Sequence, residues 1–267
     1  MDEIEAGRYW NDNAVAWTAL ARAGFDICRD GFNTPAFFQL LPEIKGLQGI
    51  DIGCGEGGNT RLLAQQGATL QAVDISERFI ANAREMENRA PLGITYTVAS
   101  ATRLPFDDGC FDFAASFMCL MDIPYPEAAL KEAFRVLKPN GFLQFSITHP
   151  CFDTPHRENV RSANGTTYAV EIGGYFNYQN GKVSEWTFSA APDEVKQQYG
   201  RFKVPLFNRT LSQWINAIID AGFTLERINE PYPGAEALEK YPSLQDAQVV
   251  PYFLHFLCRK PGRKDHK

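Results

Sequence analysis

Apolar positions across residues 8–24 recur at helical spacing. Trp10, Ala14, Trp17 and Ala21 share one face, and Gly24 ends the run. A second helix is predicted from Thr34-Pro35, with Thr34 as cap and Pro35 at the first helical position. From Leu47 the texture changes to short apolar runs separated by helical stretches. Residues 49–52 read as a first strand, 57–66 as a helix closed by Gly67, and 69–73 as a second strand. Ser76 is placed to cap a helix whose Phe79, Ile80 and Ala83 face inward. Residues 94–98 and 111–117 read as the third and fourth strands. Leu130, Ala133, Phe134 and Leu137 then form an i, i+3, i+4, i+7 stripe that stops at Lys138-Pro139-Asn140-Gly141, before a fifth strand over 142–147. Strands alternating with helices predict an α/β, doubly wound and mostly parallel sheet.

The alternation breaks at His149-Pro150. Residues 150–207 are polar, punctuated by Pro and Gly, and rich in aromatics: nine fall between positions 168 and 207, against a chain average of 13%. Asn180-Gly181, between runs at 173–179 and 182–188, predicts a hairpin turn. Helical spacing returns after Thr210-Leu-Ser-Gln213, a capping box, with Leu211, Trp214, Ile215 and Ile218 on one face. Strands over 223–228 and 249–257 bring the sheet to seven. The organisation expected is a single domain: a helical leader or lid over 1–46, a core over 47–149, a β-rich insertion after strand five over 150–207, the last helix and strands over 208–259, and a frayed basic tail over 260–267.

Composition narrows the function classes. Hydrophobic residues make up 45% and charged residues 22%, ordinary globular usage. The formal charge of −6 has the wrong sign for a general nucleic-acid binder. No run approaches the roughly 18 apolar residues of a membrane span. The acidic start, Met1-Asp2-Glu3-Ile4-Glu5, lacks an apolar segment, so no secretory signal is expected. Six scattered cysteines form no C-x-x-C pair and are expected to be reduced thiols in a cytoplasmic protein. The four histidines show no zinc spacing, and no metal is expected.

The chemistry concentrates where the first strand meets the first core helix, at Asp51-Ile52-Gly53-Cys54-Gly55-Glu56-Gly57-Gly58. Ligands of open α/β sheets bind at that end of the strands, and glycines let the backbone approach them closely. Gly53-x-Gly55-x-x-Gly58 also satisfies the dinucleotide fingerprint, so an NAD(P)-dependent oxidoreductase stays open as an alternative. Asp51 favours a different ligand. A carboxylate at the end of a buried strand needs a cation or several N–H donors, and it would repel dinucleotide phosphates. Asp74, 19 residues beyond Gly55, ends the second strand where an acid can accept both hydroxyls of a ribose.

These residues belong to a set that resembles a class I S-adenosylmethionine-dependent methyltransferase of the bacterial small-molecule type, a Rossmann-like fold. Four features carry the resemblance over about 100 residues: Asp51-x-Gly53-x-Gly55-x-Gly57; Val73-Asp74-Ile75-Ser76; Ala101-Thr102-Arg103-Leu104-Pro105-Phe106 with Phe111-Asp112; and Arg135-Val136-Leu137-Lys138-Pro139-Asn140-Gly141. The resemblance implies that Gly53, Cys54 and Gly55 line the methionine part of the cofactor and that Asp51 holds its ammonium. It further implies that Asp74 binds the ribose, Ile75 packs on the adenine, Ala101 and Thr102 N–H groups read the adenine edge, and Phe117 sits beside the sulfonium. Ser100 departs from the Asp that many relatives carry before that alanine, which weakens the expected contact to the adenine amino group.

Methyl transfer to a small-molecule acceptor is the implied reaction. A hydroxyl or carbon acceptor needs a base, an amine only the loss of a proton. His149, after strand five, is the first candidate base, with Asp122 and Asp26 behind it. Trp10, Trp17, His149 and Arg209 are the candidate substrate contacts. A non-catalytic cofactor-binding module is the remaining alternative. No nucleic-acid or membrane partner is expected.

Overall fold

The computed structural model describes residues 1–262; the last five residues of the expected tail, 263–267, lie outside the described residues. The central sheet is built from β1 (Gln48–Ile52), β2 (Thr69–Asp74), β3 (Thr95–Val98), β4 (Phe111–Phe117) and β5 (Leu137–Thr148), all parallel. The antiparallel pair formed by Thr224–Asn229 and Phe253–Arg259 extends it beyond β5. The chain runs outward from β1 to β2 and β3, then returns to place β4 on the other side of β1. That reversal opens a crevice at the carboxyl ends of β1 and β4, the position where such sheets bind ligands.

Successive residues of a strand point to opposite faces, so neighbours on β4 serve different cores. Ala114 joins Ile50, Ile52, Leu130, Trp214 and Ile218 on one face, while Phe113 joins Leu63, Ile80 and Phe142 on the other. The first face is covered by Pro126–Val136 and Leu211–Asp220, the second by Thr34–Leu40, Gly58–Gln65 and Glu77–Arg89. In chain order the helices are α1 (Glu3–Arg22), α2 (Thr34–Leu40), α3 (Gly58–Gln65), α4 (Glu77–Arg89), α5 (Pro126–Val136), α6 (Asp193–Tyr199), α7 (Leu211–Asp220) and α8 (Ala235–Lys240).

Local signals explain several boundaries. Ser76 Oγ accepts the Phe79 N–H at the start of α4, and Thr210 and Gln213 form the reciprocal capping box of α7. Thr34 is not a cap. A π-helical turn, Arg29–Asn33, runs straight into α2, and the Thr34 hydroxyl donates instead to Asn59. The Lys138–Gly141 stretch does not stand between α5 and β5 either. It bulges within the strand, where the pairing jumps from Phe111–Leu137 to Phe113–Phe142 and Asn140 takes φ 66°. At the start of the expected tail, the Lys260 ammonium donates to the Phe134 and Leu137 carbonyls.

The insertion holds β6 (His156–Arg161), β7 (Thr167–Gly173), β8 (Asn180–Trp186) and β9 (Phe202–Phe207), followed by β10 (Thr224–Asn229) and β11 (Phe253–Arg259) of the main sheet. Asn180-Gly181 is not a hairpin turn. It opens β8, which pairs across α6 with β9, while β7 pairs back to β6. The two small sheets go to different places. Asn159 and Arg161 of β6 and Thr167 of β7 bond Asp246, in the 3-10 segment Pro242–Gln248. The β8–β9 pair packs on α1 through Trp17, Phe188 and Phe202.

Candidate functional site

The glycine turn after β1 is pinned to β2, because the N–H groups of Gly53 and Cys54 both donate to the Val73 carbonyl at 2.8 and 3.0 Å. Gly53 has φ +75°, and a Cβ there would sit 2.0 Å from Cys119 Sγ. No other residue type fits that position. Beside the turn lies a cavity of about 640 Å³, within the roughly 300–1,000 Å³ usual for small-ligand pockets. Its floor is the ends of β1 to β5, and its roof is α1 together with the residues around β8 and β9.

Asp51 is 1% exposed and half satisfied. The Thr60 hydroxyl donates to Oδ2 at 2.6 Å, while buried Oδ1 has no partner among the described residues. Burial pushes its carboxyl up to about 7, opposed by the Thr60 bond. Asp74 accepts the Gly55 N–H on Oδ2 at 2.9 Å and the Ser76 N–H on Oδ1 at 2.8 Å. Burial raises it to about 6, against those two bonds. Two carboxylates, with no side-chain cation among the described residues bonded to either, face one concave space. That donor set calls for a ligand bearing a positive charge and hydroxyls.

Of the residues singled out from sequence, Asp51, Gly53, Cys54, Gly55, Asp74, Ile75, Ala101 and Phe117 all line this cavity. Trp10, Trp17 and Arg209 line it as well. Thr102 does not. Its N–H is taken by Ser100 Oγ at 3.1 Å, and its hydroxyl donates to Glu3 Oε2 at 2.6 Å. His149 is also absent from the lining. It is 3% exposed, Nε2 lies 2.8 Å from Glu230 Oε1, and Nδ1 accepts the Cys151 N–H. Its ring holds the turn after β5 and offers nothing to a ligand in the cavity. Arg209 reaches the wall with its guanidinium engaged by Glu127 and by the Pro124 and Phe207 carbonyls.

Sequence reasoning missed Glu3, Cys119, Asp153 and Trp186, all of which line the cavity. Glu3 carries no local signal, because its bonds to Ser100 and Thr102 join positions 97 and 99 residues apart. Trp186 was foreshadowed only by the aromatic enrichment of the insertion. Met118, with φ 50°, marks the turn after β4, where its N–H donates to Ser146. A non-glycine residue in the left-handed region is a feature of tight functional turns.

Residues 50–145 match a family model described as a methyltransferase domain. The demethylmenaquinone methyltransferase of Tropheryma whipplei is 34% identical over 113 residues, 42% of this chain and 46% of that protein. The chain thus spans about half the length of the curated relatives matched in this way. An uncharacterized protein of Haemophilus influenzae is 27% identical over 261 residues, covering 94% of this chain and 96% of the other. Among solved structures, an S-adenosylmethionine-dependent methyltransferase from Mesorhizobium loti superposes with a TM-score of 0.68 at 27% identity, over 84% of this chain and 96% of that one. Residues 50–145 thus carry a methyltransferase domain by their match, and the fold around them is that of the solved S-adenosylmethionine-dependent methyltransferase. The match decides between the two cofactors that the glycine spacing had left open. Two Tyr-x-x-x-Lys spacings of the kind a reductase would use, Tyr178 with Lys182 and Tyr199 with Lys203, do occur, and neither lines the cavity.

Proposed function

We propose that the chain transfers a methyl group from S-adenosylmethionine to a small-molecule acceptor, with α1 and the β8–β9 pair closing over the site. The observation that carries this reading is the buried, half-partnered Asp51 carboxylate beside a glycine cradle. Its free Oδ1 suits the cofactor's ammonium. Gly53, Cys54 and Gly55 run along the methionine part, and each Asp74 oxygen keeps a lone pair for a ribose hydroxyl. Ile75 packs on the adenine, the Ala101 N–H reads its edge, and Phe117 stands near the sulfonium. Glu3 takes over the role expected of Thr102 and of an Asp at position 100, because its carboxylate is already fixed at that corner by Ser100 and Thr102.

The sulfonium methyl is activated before it arrives, so the chain has to align an acceptor and exclude water. Orientation of that kind supplies on the order of 7–11 kcal/mol. The test is a titration with S-adenosylhomocysteine and, separately, NADH. Low-micromolar binding of the first, within the span of ordinary substrate affinities, with no competition by the second, is the expected result. Thermal stabilisation by NADH and not by S-adenosylhomocysteine would overturn the reading.

A further inference from the structure

Among the described residues, seven carboxylates and two guanidiniums line the cavity. Both guanidiniums are committed: Arg29 to Asp30 and Glu56, Arg209 to Glu127. Four of the carboxylates have work. Asp51 and Asp74 face the cofactor end, Glu56 is held by Arg22 and Arg29, and Glu3 is held by Ser100 and Thr102. Asp26 accepts the Arg29 N–H and lies in the field of that guanidinium, so Asp122 and Asp153 remain, and a zwitterionic cofactor that adds one net positive charge does not balance both.

Asp122 is the more exacting of the two. It ends the 3-10 turn Leu120–Asp122, five residues after Phe117, and its carboxyl accepts no hydrogen bond from the described residues while facing the cavity. Burial, with the Asp153 charge as second cause, pushes it well above the ordinary carboxylate range. Asp122 is half-buried, and an acid drawn out of water without a counter-charge is destabilising unless a ligand provides one. The rest of the wall is aromatic. Trp17 packs edge-on against Trp10, Trp186 and Phe188 at centroid distances of 5.0–5.5 Å, and all four line the cavity. Indole faces attract ammonium groups and cover apolar bodies equally well.

We propose that the acceptor is a small cationic amine with an apolar body, its nitrogen seated at Asp122 and its body against the Trp10–Trp17–Trp186 wall. The inference rests on the methyl-transfer reading. The ammonium first gives a proton to the Asp122 carboxylate. The freed lone pair then forms the N–C bond as the sulfonium C–S bond breaks and its electron pair stays on sulfur. The products are an N-methylammonium and S-adenosylhomocysteine, and the Asp122 proton leaves to solvent.

The test pairs amines with alcohols of the same skeleton: 2-phenylethyl, 3-phenylpropyl and 2-(indol-3-yl)ethyl. Each is titrated by calorimetry into protein saturated with S-adenosylhomocysteine, then supplied with S-adenosylmethionine and assayed for methylated product. At least one amine should bind about tenfold more tightly than its alcohol, the scale of a desolvated charge contact, and be methylated on nitrogen. Asp122→Asn should bring that pair within about threefold while leaving the affinity for S-adenosylhomocysteine unchanged. A purely structural role for Asp122 would weaken amine, alcohol and S-adenosylhomocysteine together, and that result overturns the proposal. So does equal binding of every amine and its alcohol by the native protein, or methylation of the alcohols with all amines inert; these leave the methyl-transfer reading standing. Failure of S-adenosylhomocysteine to bind at all overturns both.

Discussion

Asp74 does two things with one carboxylate. It clamps the Gly55 and Ser76 N–H groups, which fixes the ends of two turns, and it keeps lone pairs directed at the cavity. Removing it therefore touches fold and ligand at once. Asp74→Ala is expected to lose about 2–4 kcal/mol of cofactor affinity, because a charge-assisted pair of hydrogen bonds disappears. Asp74→Asn, which retains one acceptor oxygen, should lose about half of that. Calorimetry with S-adenosylhomocysteine on both variants, alongside their melting temperatures, separates the two roles. Unchanged affinity in a variant that still melts cooperatively would show that the ribose is held by other groups. Asp51 and Asp74 were legible in the sequence because each stands at a fixed offset from a strand end and a glycine, and such local patterns survive without knowledge of the fold. Glu3 and Asp153 were not, and Asp122 was singled out only as a base candidate behind His149. Their place in the site comes from helix docking and loop closure over long separations, which no spacing encodes.

At the scale of elements, the roof of the cavity is one seam between α1 and β9. Asn13 bonds the Lys203 backbone in both directions, donating to its carbonyl at 2.9 Å and accepting its N–H at 3.0 Å. Trp17, Phe188 and Phe202 pack immediately beside it. The β6–β7 hairpin takes no part, because it is tied to Asp246 instead. Cofactor binding is therefore expected to slow amide exchange in Glu3–Arg22 and across β8 and β9, while β6, β7 and the already protected β5 change little. Asn13→Ala should cost about 1–3 kcal/mol, the scale of unpairing a buried polar group, and should erase most of that protection. Equal slowing in β6 and β7 would mean that the insertion moves as one piece. The sequence announced an aromatic insertion with strands and located its start. Asn180-Gly181 misled because a turn dipeptide is only a local preference. Here α6 stands between the paired strands, and the pairing of β8 with β9 is chosen by the aromatic cluster on α1.

The whole molecule carries several ionisable groups buried against their preference, and their signs determine how stability follows pH. Burial raises Asp26 to about 6, Asp51 to about 7 and Asp74 to about 6. It lowers His255 to about 4. A carboxyl raised on folding binds its proton more tightly in the native state, so stability falls as pH climbs from the ordinary 3.8 through the folded value. The histidine works in reverse, adding stability as pH rises from about 4 to 6.5. The two trends oppose each other below pH 6.5, and above it the histidine has no more to give. Between pH 6.5 and 8 the ligand-free protein should therefore lose about 1 kcal/mol through Asp51. A bound cofactor reverses this, since an ammonium at Oδ1 favours the charged form. The stabilisation given by S-adenosylmethionine should grow over the interval in which the bare protein weakens. Chemical denaturation at pH 6.5, 7.25 and 8, with and without the ligand, reads both slopes, and Asp51→Asn should flatten each of them. A ligand-free protein that gains stability from pH 6.5 to 8, or a ligand effect that shrinks over the same range, would mean that Asp51 is already charged and partnered in the native chain, and the cofactor ammonium would have to be held by another group.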